Sequence, residues 1–158
     1  MNSTPIARAQ WPRAWAAAPA RNVIDLATDL SKQHQVEDLS LPQSGLGLMP
    51  LNDSALNDTY FLGELPLAHA HVRVQDADGN TADGGALILD DRTDMARAIA
   101  ILDAVLAGRL HGHERVSALV KQGWQEVQRI TQERKAILSA TRVDFALLGT
   151  AEEEEPHA

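Results

Sequence analysis

Leu65-Pro66-Leu67-Ala68-His69-Ala70-His71-Val72-Arg73-Val74 alternates in character residue by residue. Ala68, Ala70, Val72 and Val74 fall on one side of an extended chain, and Leu67, His69, His71 and Arg73 on the other. Side chains change face at every residue of a strand, so this is the pattern of a strand with one packed face and one wet face. Asp78-Gly79 then supplies a turn signal, and Ala86–Leu89 predicts an apolar return strand. Leu65 to Asp90 therefore reads as a β-hairpin. Pro66 cannot donate to a ladder, which makes its end of the strand a start or an edge.

Upstream, Val36 to Asp58 breaks into short apolar pieces separated by Pro42, Gly45, Gly47, Pro50, Asn52-Asp53 and Asn57-Asp58, which predicts short strands and loops. Ala20 to Gln35 predicts a helix, because Val23, Leu26, Ala27 and Leu30 recur at offsets of three and four. Arg8 to Ala18 also looks helical. Its Pro12 fits either a helix that starts there, with Trp11 just outside, or a break.

Downstream, Met95, Ile99, Leu102 and Leu106 step along one helical face, and Gly108 is placed to end that helix. Val116, Leu119, Val120, Trp124, Val127, Ile130, Ile137 and Leu138 define a second stripe, predicting an amphipathic helix from about Glu114 to Ser139. At 1.5 Å per residue it would be about 40 Å long. A domain of this size has a radius of gyration of roughly 15 Å, so part of the helix is expected to pack on another subunit. The fold class is α+β, a small antiparallel sheet flanked by helices with a long C-terminal amphipathic helix. A single domain is expected over residues 1–148, with a disordered acidic tail at 149–158.

Composition narrows the function. The chain has 158 residues, 44% of them hydrophobic but only 4% aromatic, so an aliphatic core is expected. With no cysteine, disulfides, thiolate metal sites, a cysteine nucleophile and a cysteine-ligated cluster are excluded within this chain. A net charge of −8 disfavours nucleic acid as a partner, since phosphate contacts need clustered Lys and Arg. Met1-Asn2-Ser3-Thr4-Pro5 has neither a basic start nor an apolar run, and no stretch is apolar enough to span a bilayer, so a cytoplasmic location without membrane contact is expected. No phosphate loop, dinucleotide fingerprint, nucleophile elbow or His-Glu-x-x-His motif occurs.

The remaining candidates are histidines, acids and two arginines. His69 and His71 project from one strand face at a spacing able to hold a metal, although a catalytic zinc would need a third ligand and an open position. An exposed polar face is the plainer reading, and no metal ligand or catalytic residue is assigned. His111-Gly112-His113 lies between two helices and reads as a polar loop. Asp90-Asp91 precedes a helix, where capping of free backbone amides is expected. Glu64, beside Gly63 at a strand start, reads equally as a turn feature or as a group reaching a partner's site. Arg73 and Arg142 have the chemistry to bind phosphate groups, while ion pairing is the commoner role in an acidic protein.

Five short motifs in order give the chain a resemblance. Arg8-Ala9-Gln10-Trp11 is similar to an Arg-x-x-Trp opening, and Ser44-Gly45-Leu46 to a Thr-Gly-Leu strand start. Phe61-Leu62-Gly63-Glu64 with the strand to Val74 resembles a Phe-x-Leu-Gly-Glu block. Ile101-Leu102-Asp103-Ala104 resembles a Leu-x-Asp-Ala helix, and Thr141-Arg142-Val143-Asp144-Phe145 a closing Ser/Thr-Arg-Val-Asp-Phe. Together they resemble PhnG, a small subunit of the bacterial carbon–phosphorus lyase system, across Arg8 to Leu148. Two positions depart from the family pattern: Asp90-Asp91-Arg92 stands where Gly-Arg-Asp is usual, and His69 where an Arg or acid is common.

The resemblance implies a structural or assembly subunit that joins PhnH-, PhnI- and PhnJ-like chains in a hetero-oligomer. That complex displaces adenine from ATP with a phosphonate, giving α-D-ribose 1-methylphosphonate 5-triphosphate. ATP would be a substrate of the complex, and the iron–sulfur cluster and S-adenosylmethionine would belong to a partner, leaving no cofactor in this chain. Such a chain would belong to a transferase complex without being catalytic alone. Two other classes stay open: a stand-alone homodimeric anion-binding module using Arg73 and Arg142, and a metal-dependent hydrolase using His69 and His71.

Overall fold

The computed structural model describes residues 6–55 and 58–140. After a single 3-10 turn at Arg8–Gln10 come helices α1 (Trp11–Ala17) and α2 (Ala20–Ser31), strands β1 (Gln35–Asn52), β2 (Thr59–Gln75) and β3 (Thr81–Ile88), and helices α3 (Thr93–Ala107) and α4 (His113–Ala140). The strands form an antiparallel sheet in the order β1-β2-β3. The α+β class is therefore as the sequence predicts, long C-terminal helix included. The chain divides into one unit through Val127 and another from Gln128.

In the first unit, Ala68, Ala70, Val72 and Val74 are buried on one face of β2, and His69, His71 and Arg73 are exposed on the other. Alternation at period two places the apolar set against the helices. α3 is the core helix: ten of its fifteen residues are buried, from Met95 to Val105. Val23, Ala27 and Leu30 of α2 join the core, as do Ala14 and Trp15 of α1 and Val116, Leu119 and Val120 of α4.

Two glycines permit close approach. A Cβ at Gly84 of β3 would lie 2.1 Å from the Ala100 carbonyl oxygen and 2.4 Å from the Ala104 nitrogen, so α3 sits directly on that strand. A Cβ at Gly123 of α4 would meet the Ala14 carbonyl oxygen of α1 at 2.0 Å. In the second unit α4 continues to Ala140, with an Arg129–Glu133 ion pair one turn apart. Ile137 and Leu138 there are exposed.

Several boundaries differ from the sequence reading. Val36 to Asp58 does not form short strands and loops: a single strand runs through Pro42, Gly45, Gly47 and Pro50 to Asn52. It tolerates both prolines because its register slips between Ser40 and Gln43 and between Leu48 and Pro50, and a bulge removes the demand for a ladder donor. β2 begins at Thr59, so Pro66 lies inside it. Pro66 is nevertheless at an edge, because β3 first pairs with β2 at Ala68↔Ile88. The return strand starts at Thr81, ahead of Ala86, and ends before the exposed Leu89. α2 stops at Ser31, and Gln35 belongs to β1. α1 includes Trp11, with Pro12 in its first turn where no N–H is needed.

Candidate functional site

The open face of the sheet carries most of the candidate residues in cross-strand rows. Gln43, His69 and Leu87 form one row, Ser40, His71 and Gly85 the next, and Glu37, Arg73 and Asp83 the third. β2 supplies the central residue of each, because its exposed positions are every second residue.

Arg73 is already engaged. Its Nε donates to Asp83 Oδ1 at 2.7 Å and its Nη2 to Asp83 Oδ2 at 2.8 Å. These bonds hold the Asp83 carboxyl below its ordinary range and lift the Arg73 guanidinium. Ion pairing, not an open anion cradle, is thus what the structure gives Arg73. His69 and His71 share the face as expected. Among the described residues no group of three His, Cys, Asp or Glu side chains is placed to hold a metal ion.

Glu64 follows a β-bulge. The register runs Leu48↔Glu64 and then Pro50↔Phe61, so Leu62 and Gly63 together oppose Met49. Gly63 has φ +118°, a conformation that favours glycine. The Leu62-Gly63-Glu64 motif is therefore a backbone device within a strand, not a strand start. Glu64 is exposed beside it.

Asp90 does not cap α3. The N-cap is Arg92, with no side-chain bond to the free amides. Asp90 instead accepts from the Arg92 backbone N–H at 3.1 Å and from its guanidinium at 2.9 and 2.6 Å. Those bonds, the side-chain ones foremost, pull the Asp90 carboxyl down to about 2. A competing cation two residues away took the carboxylate that the capping expectation assigned to the backbone. His111-Gly112-His113 forms the turn into α4: His113 Nδ1 lies 3.1 Å from the Leu110 carbonyl and Gly112 has φ +85°. The His111 ring is 6.5 Å from that of buried His34. Arg142 lies outside the described residues, as does the rest of Thr141–Phe145.

Asp103 escaped the sequence reading as a structural centre. It is buried in α3, where it accepts from Arg8 Nε at 3.0 Å, Arg8 Nη2 at 2.6 Å and the Gly85 N–H at 3.2 Å. One carboxylate thus ties the N-terminal segment to both α3 and β3. The available signal was an acid inside the apolar run Ile101 to Val105. Asp76 similarly organises the β2–β3 turn, accepting from the backbone of Asp78 and Asn80 and from the Asn80 side chain. These bonds, the Asn80 side chain's first, lower its carboxyl.

Helices on one sheet face, with the polar candidates set on the other face and along open strand, define a small α+β protein whose candidate chemistry lies at its surface. Comparison with family models then specifies it further. The chain belongs to the PhnG family: the model for phosphonate metabolism protein PhnG matches residues 6–149. Its role therefore lies in phosphonate metabolism. No curated protein matches the chain. Two of the motifs that carry the resemblance, Arg8-Ala9-Gln10-Trp11 and Ile101-Leu102-Asp103-Ala104, are joined by the Arg8–Asp103 pair. No helix among the described residues is long and apolar enough to cross a membrane.

Proposed function

We propose that the chain is a structural or assembly subunit of the carbon–phosphorus lyase core complex. In that role it supports the displacement of adenine from ATP by a phosphonate, the step that gives α-D-ribose 1-methylphosphonate 5-triphosphate. The observation that carries this reading is membership of the PhnG family over residues 6–149. The engagement of the candidate side chains agrees with it. Arg73 is paired with Asp83 and Arg92 with Asp90, so these cations stabilise local structure. The partners would be PhnH-, PhnI- and PhnJ-like chains, with the iron–sulfur cluster and S-adenosylmethionine in a partner and the complex working in the cytoplasm.

A tagged pull-down from the native host, grown on a phosphonate as sole phosphorus source, tests the proposal. Co-recovery of those three chains in fixed ratio is the expected result. Recovery of this chain alone would refute it, and would turn attention to metal analysis of variants at His69 and His71.

A further inference from the structure

The sheet changes character along its length. Up to the row Ser44↔Ala68↔Ile88 it has three strands and one helix-covered face. Beyond that row β1 and β2 continue alone, as a two-stranded ribbon through Asn52↔Thr59. A two-stranded hairpin has little stability in water unless something covers it. Strand parity puts Leu46 and Leu48, opposite Pro66 and Glu64, on the face that carries Ala68. The buried apolar face thus extends onto the ribbon without its helix cover: Leu46 is 68% exposed and Leu48 60%. Tyr60, Phe61 and Leu62 follow one another on β2, pointing to alternate sides, and all three are more than half exposed. None of the described residues covers either face of the ribbon, and β2 has no β3 partner between Thr59 and Leu67. Edges of this kind are ordinarily protected by lysine or by covering structure.

Charge selects the occupant. From Leu39 to Val72 the sequence contains no Lys or Arg, while Asp53, Asp58 and Glu64 lie on or at the tip of the ribbon. Two copies stacked ribbon to ribbon would bring like charges together, in a chain that is already at −8. A partner with an apolar centre and a rim of Lys and Arg would complement both features. A free strand edge on that partner would also satisfy the open backbone groups.

We infer that the ribbon, residues 45–52 with 59–67, is a docking arm for a different subunit of this chemistry, and that the Gly63 bulge sets how Glu64 is presented to it. The inference rests on the assembly role proposed above and names the surface through which that role is carried out.

The test uses the full chain in its native complex. Two variants are compared with wild type as bait: Leu46→Ser/Phe61→Ser, which removes the apolar anchors, and Asp53→Lys/Glu64→Lys, which reverses the charge. Arg21→Ala on the exposed side of α2 serves as control. Leu46, Phe61 and Glu64 are exposed, and Asp53 is half-buried and accepts from the Ala55 N–H at 2.7 Å, so melting curves check that each variant folds before recovery is compared. The expected result is a loss of partner recovery of about ten-fold or more for each ribbon variant and none for the control. Hydrogen exchange should also slow across Leu46–Leu48 and Tyr60–Glu64 in the complex relative to the free chain.

Equal recovery by wild type and folded ribbon variants, with unchanged exchange, would overturn the docking arm and leave the assembly role standing. Wild type that recovers no partner would instead remove the assembly role, and the inference with it. A homodimer in sedimentation of the isolated chain, split by Leu46→Ser/Phe61→Ser, would assign the ribbon to a second copy and also overturn the inference.

Discussion

Removing either half of the Arg8–Asp103 pair should destabilise the fold non-additively. The Asp103 side chain is 11% exposed and that of Arg8 56%, so the carboxylate is the desolvated partner. Arg8→Ala leaves Asp103 with the Gly85 N–H as its remaining hydrogen bond among those described above. Bonds to charged groups contribute about 1.5–3 kcal/mol when buried, but exposed ion pairs contribute about 1 kcal/mol or less. The half-exposed guanidinium places Arg8→Ala between these, at about 1.5 kcal/mol. Asp103→Ala also strands the Gly85 N–H against α3, and about 2.5 kcal/mol is expected. Once the carboxylate is gone, losing Arg8 should cost little more, so the double variant should resemble Asp103→Ala and the coupling should be about 1.5 kcal/mol. Urea unfolding of the four proteins measures each value. For a chain of this size, Arg8→Ala should lower the melting temperature by about 3–6 °C. Additivity within about 0.5 kcal/mol would refute the argument, showing that the N-terminal segment does not depend on Asp103.

The close approach of β3 to α3 gives a second expectation. Gly84→Ala should cost about 3 kcal/mol in urea unfolding, because the new methyl meets backbone atoms that cannot rotate away. Gly85→Ala, whose Cβ would find its nearest neighbour at 3.8 Å, should be close to neutral. Asp90 gives a pH signature. Arg92 lowers its carboxyl from 3.8 to about 2 in the folded chain, so its contribution is complete above about 3.8 and disappears as the pH falls through about 2. Asp90→Asn should therefore flatten stability against pH across that window and leave the profile above pH 5 unchanged in shape; urea midpoints from about pH 2 to 6 measure this. Finally, Arg73→Ala should leave the urea midpoint close to wild type, since both partners are nearly half exposed. Titration calorimetry with inorganic phosphate should show no binding that depends on Arg73, and such binding would favour the anion-module reading.

The legible parts of the fold are those in which one period persists. Val23 to Leu30, Met95 to Leu106 and Val116 to Val127 each keep a helical stripe, and Ala68 to Val74 keeps strict alternation; all four emerge as the elements they predict. β1 was illegible for a physical reason. The irregularities between Asp38 and Ser40 and between Ser40 and Gln43 each add one residue to β1, and the one between Leu48 and Pro50 adds one to β2 opposite. Leu41, Leu46, Leu48 and Leu51 share no fixed period, and Pro42 and Pro50 look like breaks. Chemistry at the candidate residues was partly legible, because residue type shows what a side chain can do and not which neighbour reaches it first. Asp90 looked like a cap until Arg92 supplied a nearer cation. Arg73 offered an anion site until register placed Asp83 opposite it across β2 and β3. Asp103 was visible only as a motif, since its partners Arg8 and Gly85 lie 95 and 18 residues away in sequence. The same logic makes the ribbon informative. Among the described residues nothing covers either of its faces, and an apolar strand pair left open in this way fits the docking arm inferred above.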